Sequence, residues 1–191
     1  GGQTEDYPYG YLALTPGADS TKLNLNWYTP QTDREGDLVI RPLSDKEAAY
    51  LDADNRGLLT TVDGQTVRYA DNKAQIRYTL PLDAAASAGH LLLDISGNYV
   101  VELSADGVTY QKAANAAGWE TAAKTDTSNR EQLAFPLDSY LKGAGSKLYV
   151  RITDQTPENR WGAVLRSVVV TYQPLTGMDD TAVDRKSTRL N

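Results

Sequence analysis

Short runs rich in Val, Ile, Leu and Tyr recur along the chain between clusters of Gly, Asn, Asp and Pro. No stretch keeps a 3.6-residue apolar period over three turns, so helical layers are excluded and a β architecture is required. The clearest alternations are Ile76, Tyr78, Leu80, Leu82; Leu91, Leu93, Ile95; Tyr99, Val101, Leu103; Leu133, Phe135, Leu137; and Leu148, Val150, Ile152. Because successive strand residues point to opposite faces, each set addresses one face, while Arg77, Asp94, Glu102 and Arg151 face the other way. A last set, Val164, Arg166, Val168, Val170, Tyr172, puts an arginine in the apolar register and demands a bulge or a paired charge there. This spacing predicts an all-β fold, a two-sheet antiparallel sandwich. Residues 45–53 and 138–142 have some helical character, but each spans only two or three turns and suits an irregular crossing segment equally well.

Composition then removes whole classes of chemistry. The 191 residues contain no cysteine, which excludes thiolate nucleophiles, Cys-type zinc sites and disulfides but says nothing about compartment. The single histidine, His90, follows Gly89 and opens Leu91-Leu92-Leu93; it reads as a strand-edge residue, and any Ser-His-Asp or His-metal chemistry would have to pass through it. Nineteen Lys and Arg against twenty-five Asp and Glu give a net charge of −6, the wrong sign for nucleic acid or an anionic membrane surface. No apolar run approaches the roughly 18 residues of a membrane span, so no membrane insertion is expected.

Turn chemistry orders the strands. Ser96-Gly97-Asn98 and Ala105-Asp106-Gly107 both read as hairpin turns, since Gly and Asn tolerate positive φ. If the strand at residues 74–82 runs from one end of the sandwich to the other and each later strand reverses, one end collects residues 71–73, 96–98, 116–129 and 154–162. The opposite end receives residues 83–89, 105–107 and 138–146, mostly Ala, Gly and Ser. Side-chain chemistry therefore gathers at the first end, where Asn72, Asn98, Trp119, Asn129, Arg130, Asp154, Asn159, Arg160 and Trp161 share a rim. A sugar offers vicinal hydroxyls that both donate and accept, on a ring with an apolar face; Asn and Asp match the first feature and an exposed indole the second. The competing reading is architectural. Trp119 and Trp161 then plug the open end, Asn72, Asn98 and Asn129 form turns, and Arg130 and Arg160 pair with Asp126, Asp154 or Glu158.

Residues 37–174 resemble a galactose-binding-like, discoidin-type module of the sort appended to secreted bacterial glycoside hydrolases. The likeness rests on Gly64-Gln65-Thr66-Val67-Arg68-Tyr69-Ala70-Asp71, on Ser96-Gly97-Asn98-Tyr99-Val100-Val101-Glu102-Leu103-Ser104-Ala105-Asp106-Gly107, and on Ser128-Asn129-Arg130. It continues in Leu148-Tyr149-Val150-Arg151-Ile152-Thr153-Asp154 and Asn159-Arg160-Trp161-Gly162-Ala163. It implies a jelly-roll sandwich. Such modules include sugar binders and ligand-free spacers, so fold alone does not assign function. Many also hold a structural calcium; Asp52, Asp54 and Asn55 come nearest to a ligand set, with a solvated turn as the alternative, and no other cofactor is expected. A shorter likeness lies upstream. Tyr11-Leu12-Ala13-Leu14-Thr15-Pro16-Gly17-Ala18-Asp19-Ser20 and Leu23-Asn24-Leu25-Asn26-Trp27-Tyr28 are similar to the fibronectin-III-like leader of bacterial calcineurin-type metallophosphoesterases, whose Asp and His metal motifs this chain lacks.

These readings divide the chain into residues 1–36, the remnant of a preceding β domain or an added strand; 37–174, the sandwich; 175–183, a linker; and 184–191. The last eight residues resemble the translation of a sequencing adapter and are set aside, and the absence of a start methionine suits a piece of something larger. The function expected is a non-catalytic carbohydrate-binding module of a secreted or cell-surface bacterial protein, bringing a covalently linked catalytic domain to a carbohydrate polymer. Tyr69, Trp119 and Trp161 would stack on sugar rings, and Asn72, Asn129, Asp154 and Arg160 would hydrogen-bond their hydroxyls. The alternatives are a structural or adhesive spacer without a small ligand, or the accessory region of a metallophosphoesterase. Asp154 with Glu158 is the one carboxylate pair to inspect for glycoside hydrolysis.

Overall fold

Period-two alternation buries one face of each long strand and so dictates two stacked sheets. In a computed structural model, which describes residues 14–16, 23–25, 36–62, 64–82, 89–117, 129–158 and 161–172, the chain forms thirteen strands. They are β1 (Leu14–Pro16), β2 (Leu23–Leu25), β3 (Leu38–Ile40), β4 (Leu51–Asp54), β5 (Leu58–Val62), β6 (Gln65–Ala70) and β7 (Gln75–Pro81). Then follow β8 (His90–Gly97), β9 (Tyr99–Ser104), β10 (Gln111–Asn115), β11 (Glu131–Pro136), β12 (Lys147–Asp154) and β13 (Ala163–Thr171). One sheet has eight strands, in the order β1-β2-β11-β8-β13-β6-β5 with β3 also paired to β13; the other has five, in the order β10-β9-β12-β7-β4. Every pairing among the described strands is antiparallel. From β6 to β13 the chain changes sheet at each connection except the β9–β10 hairpin, which is the jelly-roll path.

The expected helical segments resolve into two short 3-10 turns, Glu47–Ala49 and Asp138–Tyr140. The remainder of the first segment is β4, whose backbone finds partners on β7. Upstream, β1 and β2 extend the eight-stranded sheet by pairing onto β11.

The alternating sets meet between the sheets. Ile76, Leu80, Val101, Leu148, Val150 and Ile152 from the five-stranded sheet pack against Leu91, Leu93, Ile95, Leu133 and Leu165 from the other, all essentially inaccessible. Each such burial is worth about 1.5–3 kcal/mol. Strand β13 departs from the simple alternation. A bulge between Leu165 and Ser167 switches its parity, so Ala163 and Leu165 face the core before it and Val168 and Val170 after it. Val164 instead faces a small satellite cluster with Val67 and Tyr69. Arg166 occupies the bulge, buried, and donates from Nη1 to Ser96 Oγ at 2.7 Å.

One polar clasp ties the sheets together. Glu47 is 2% exposed. Its Oε2 accepts from Arg68 Nε at 2.8 Å and from the Tyr78 hydroxyl at 2.7 Å, while its Oε1 accepts from Arg68 Nη2 at 2.8 Å and from the Leu43 amide at 2.9 Å. Arg68 lies on β6 and Tyr78 on β7, so one carboxylate bridges both layers; Arg68 also pairs with Asp54 of β4. Burial works against the charged carboxylate, but the hydrogen bonds from Arg68, Tyr78 and Leu43 outweigh it and hold Glu47 below its ordinary value. A depressed carboxylate contributes stability above its unfolded value and loses it as pH falls through the folded one. Glu47→Gln is therefore expected to lower the unfolding free energy at neutral pH by about 3 kcal/mol, because Arg68 is left buried and under-compensated. Urea titrations repeated at about pH 3 should show the gap between parent and variant shrinking as the parent's carboxylate protonates.

Candidate functional site

Among the described residues, the connections predicted to converge at one end do so at residues 72, 97–98, 129, 154–156 and 162; residues 118–128 and 159–160 lie outside the described residues. The amide of Asn72 donates to Asp154 Oδ2 at 2.9 Å, Asn98 Nδ2 to Asp154 Oδ1 at 3.3 Å and to Thr156 Oγ1 at 2.6 Å, and Asn98 N to the Gly162 carbonyl at 3.0 Å. Asn129 exchanges two bonds with the backbone of Gly97, both 2.9 Å. Asn115 joins through Gln155, whose Nε2 donates to Asn98 Oδ1 at 2.9 Å. At the opposite end, Leu82 N bonds Ser146 O and Leu137 N bonds Gly89 O.

Ser96-Gly97-Asn98 is not a hairpin. β8 and β9 belong to different sheets, and these residues form the arch between them; Ala105-Asp106-Gly107 does close the β9–β10 hairpin. The positive φ of Gly97, 80°, suits either geometry. What selects the arch is Asn98, fully buried between the layers with its amide saturated by the 154–156 loop. The arch also needs two bare backbones. A Cβ on Gly97 would collide with the Gly162 carbonyl, and one on Gly162 with the Ala70 carbonyl.

Of the predicted site residues, Tyr69, Asn72, Asn129, Asp154 and Trp161 are brought to this end; Trp119 and Arg160, with Asn159, lie outside the described residues. Their roles divide by exposure. Tyr69 is buried, accepts a hydrogen bond from Gly162 N at 3.0 Å, and sets its ring 5.5 Å from that of half-buried Trp161 at a 52° tilt. It therefore stands behind the indole, and burial raises its phenol above the ordinary value. Asp154 is buried with both oxygens engaged; desolvation raises its carboxyl against the pull of the Thr156 and Asn72 amides. Asn72 is exposed and sits at a φ of 54°, and Asn129 is half-buried.

Arg56, which carries no sequence signal, and Arg130, which the sequence places on the rim, border these residues. Arg56, from the β4–β5 turn, pairs with Asp71 Oδ1 at 2.8 Å and holds its guanidinium 5.9 Å from the centre of the Tyr69 ring. Arg130 pairs with Asp94, at 2.9 and 2.7 Å; Asp126, one of the partners expected from the sequence, lies outside the described residues. His90 opens β8 and is buried, as its place before the leucine run suggests. The nearest calcium set does not fit the ion. Asp54 Oδ1 accepts the Arg56 and Gly57 amides and its Oδ2 meets Arg68, while Asp52 accepts the Thr79 hydroxyl.

No family model and no curated protein matches the chain. Among solved structures it is similar to Xylanase10C from Cellvibrio japonicus in complex with xylopentaose, at 11% identity and a TM-score of 0.40, over 64% of this chain and 26% of that one. The chain thus spans about a quarter of that protein's length. It is also similar to the xylan-binding module CBM15, at 12% identity and a TM-score of 0.43, over 73% of this chain and 99% of the module. A third likeness is to the low affinity xylan binding module CBM86 of Roseburia intestinalis, at 17% identity and a TM-score of 0.34, over 71% and 94% of the two chains.

Because Asn98 bonds Asp154, Thr156 and Gln155 at once, Asn98→Ala removes three side-chain hydrogen bonds and leaves a cavity between the layers. A loss of about 2–4 kcal/mol is expected in urea unfolding, with faster amide exchange concentrated at residues 154–156.

Proposed function

We propose that this chain is a non-catalytic carbohydrate-binding module whose ligand meets the rim at the Asn98 end of the sandwich. The observation that carries the reading is the convergence, at one end of the sandwich, of a half-buried indole, Trp161, with exposed Asn72, tied there by its backbone amide, and half-buried Asn129. Trp161 offers the apolar surface, braced from behind by Tyr69, and Asn72 offers the exposed amide; Asp154 and Asn98 position the loops. Trp119 and Arg160 belong to the same proposed surface by their place in the chain. Each hydrogen bond to a hydroxyl returns on the order of 1 kcal/mol net, so a site of this size binds weakly and gains by repetition along a polymer. Attachment to a catalytic domain, and a secreted or cell-surface bacterial parent protein, complete the proposal, since a weak polymer-binding module is useful where it concentrates an enzyme on its substrate.

A structural spacer is the second reading, and one observation favours it: Asn98, Asn129 and Asp154 spend their hydrogen bonds inside the fold. Affinity electrophoresis in gels containing neutral polysaccharides separates the two. The binding module is retarded by at least one of them. Asn72→Gly, which keeps the left-handed backbone but removes the amide, weakens the retardation about fivefold, and Trp161→Ala reduces it to background. A chain that migrates unretarded through every polysaccharide is a spacer.

A further inference from the structure

A second surface, remote from the rim in its chemistry, lies on the outer face of the five-stranded sheet. In register across four strands, Arg77 of β7 stands opposite Arg151 of β12, Arg151 opposite Glu102 of β9, and Glu102 opposite Lys112 of β10. Arg77, Arg151 and Glu102 alternate with buried core residues and so face outward, and Lys112 is exposed. The single carboxylate in this row is spent on one cation: Arg151 reaches Glu102 with both Nε and Nη2 at 3.1 Å, and lays its guanidinium 4.0 Å from the centre of the Tyr110 ring. Among the described residues no side-chain hydrogen bond or ion pair of Arg77 is formed, and its Nε is buried. Like charges directly opposite on neighbouring strands destabilise a sheet. In a chain of net charge −6, this row sets three cations about one committed carboxylate, and the next carboxylate on the neighbouring strand, Asp52, accepts the Thr79 hydroxyl.

The row's surroundings are those of a sugar platform. Tyr149 lies beside Arg151 on the same outward face, its ring packed on Gly107, where an added Cβ would fall 2.9 Å from the ring. Thr153 and Gln75, half-buried, flank the row on the other side. A guanidinium prefers a planar, bidentate acceptor, which among sugar substituents is a carboxylate. We infer that this face binds a uronate-bearing polysaccharide, with Arg77 receiving a sugar carboxylate while Tyr149 and the flanking polar side chains meet the rings. The proposal is independent of the rim: it uses other residues, another charge and another ligand class.

The test is affinity electrophoresis of the full chain in gels containing sodium alginate, sodium polygalacturonate, neutral xylan or dextran sulfate, alongside thermal melts. The acid polysaccharides should retard the parent, and retardation should fall as sodium chloride is raised. Arg77→Gln should weaken alginate or polygalacturonate binding at least tenfold while melting at or above the parent temperature, because it relieves the Arg77–Arg151 repulsion. Arg77→Lys should bind between the two, keeping the charge and losing the fork. Trp161→Ala should leave acid-polysaccharide binding unchanged, whatever becomes of neutral-polymer binding at the rim. The inference is overturned if neither uronate polymer retards the parent, if Arg77→Gln binds like the parent, or if dextran sulfate binds as tightly as the carboxylated polymers.

Discussion

The amide of Asn98 is the point on which one end of the molecule depends. The chain leaves one sheet at Gly97 and enters the other at Tyr99, and the residue between them is wholly buried. A buried primary amide without partners costs more than a hydrogen bond returns, so the surrounding loop must supply them. The 154–156 loop does so, and Asp154 in turn captures the amide of Asn72. Gly162 closes against Ala70 only because it has no side chain, which brings Trp161 onto Tyr69. The rim is therefore a consequence of satisfying one buried group, and its rigidity is inherited from that network.

Charge is distributed with a similar economy on the two sheets. Glu47 and Arg68 are buried, but both carboxylate oxygens and all three guanidinium nitrogens of the pair are engaged, which makes the ion pair tolerable between two apolar layers. On the outer face of the five-stranded sheet the opposite holds. Arg77 and Arg151 face each other with one carboxylate between them and Lys112, and that carboxylate is committed to Arg151. The first arrangement stabilises the fold; the second leaves cationic surface that folding does not use.

Much of the architecture was legible because it depends on local rules. Period-two alternation locates β7, β8, β9, β11 and β12, and an arginine in an apolar register calls for a bulge or a paired charge, of which β13 has the bulge. The hairpin β5–β6 and strand β4 escaped it, because Leu58-Leu59-Thr60-Thr61-Val62 and Leu51-Asp52-Ala53-Asp54 are too short or too mixed to show a period. Ser96-Gly97-Asn98 has the composition of a hairpin because turn residues report only φ; whether the next strand pairs back or crosses over is decided by burial of the residue at the apex. Arg130 found Asp94 because their strands are neighbours, though 36 residues separate them.

By itself, the sequence determined that the described strands pair antiparallel and that the connections carrying Asn72, Asn98, Asn129 and Trp161 share an end, since both follow from residue alternation and from strands reversing at each turn. Only the tertiary structure decided which of those side chains remain available. Tyr69, Asn98 and Asp154 look as suitable for a ligand as Asn72 or Trp161 until the two layers close and bury them. Likewise the confrontation of Arg77 with Arg151 exists only once β7 and β12 are in register. Exposure and cross-strand pairing depend on residues distant in the chain, so no local pattern encodes them.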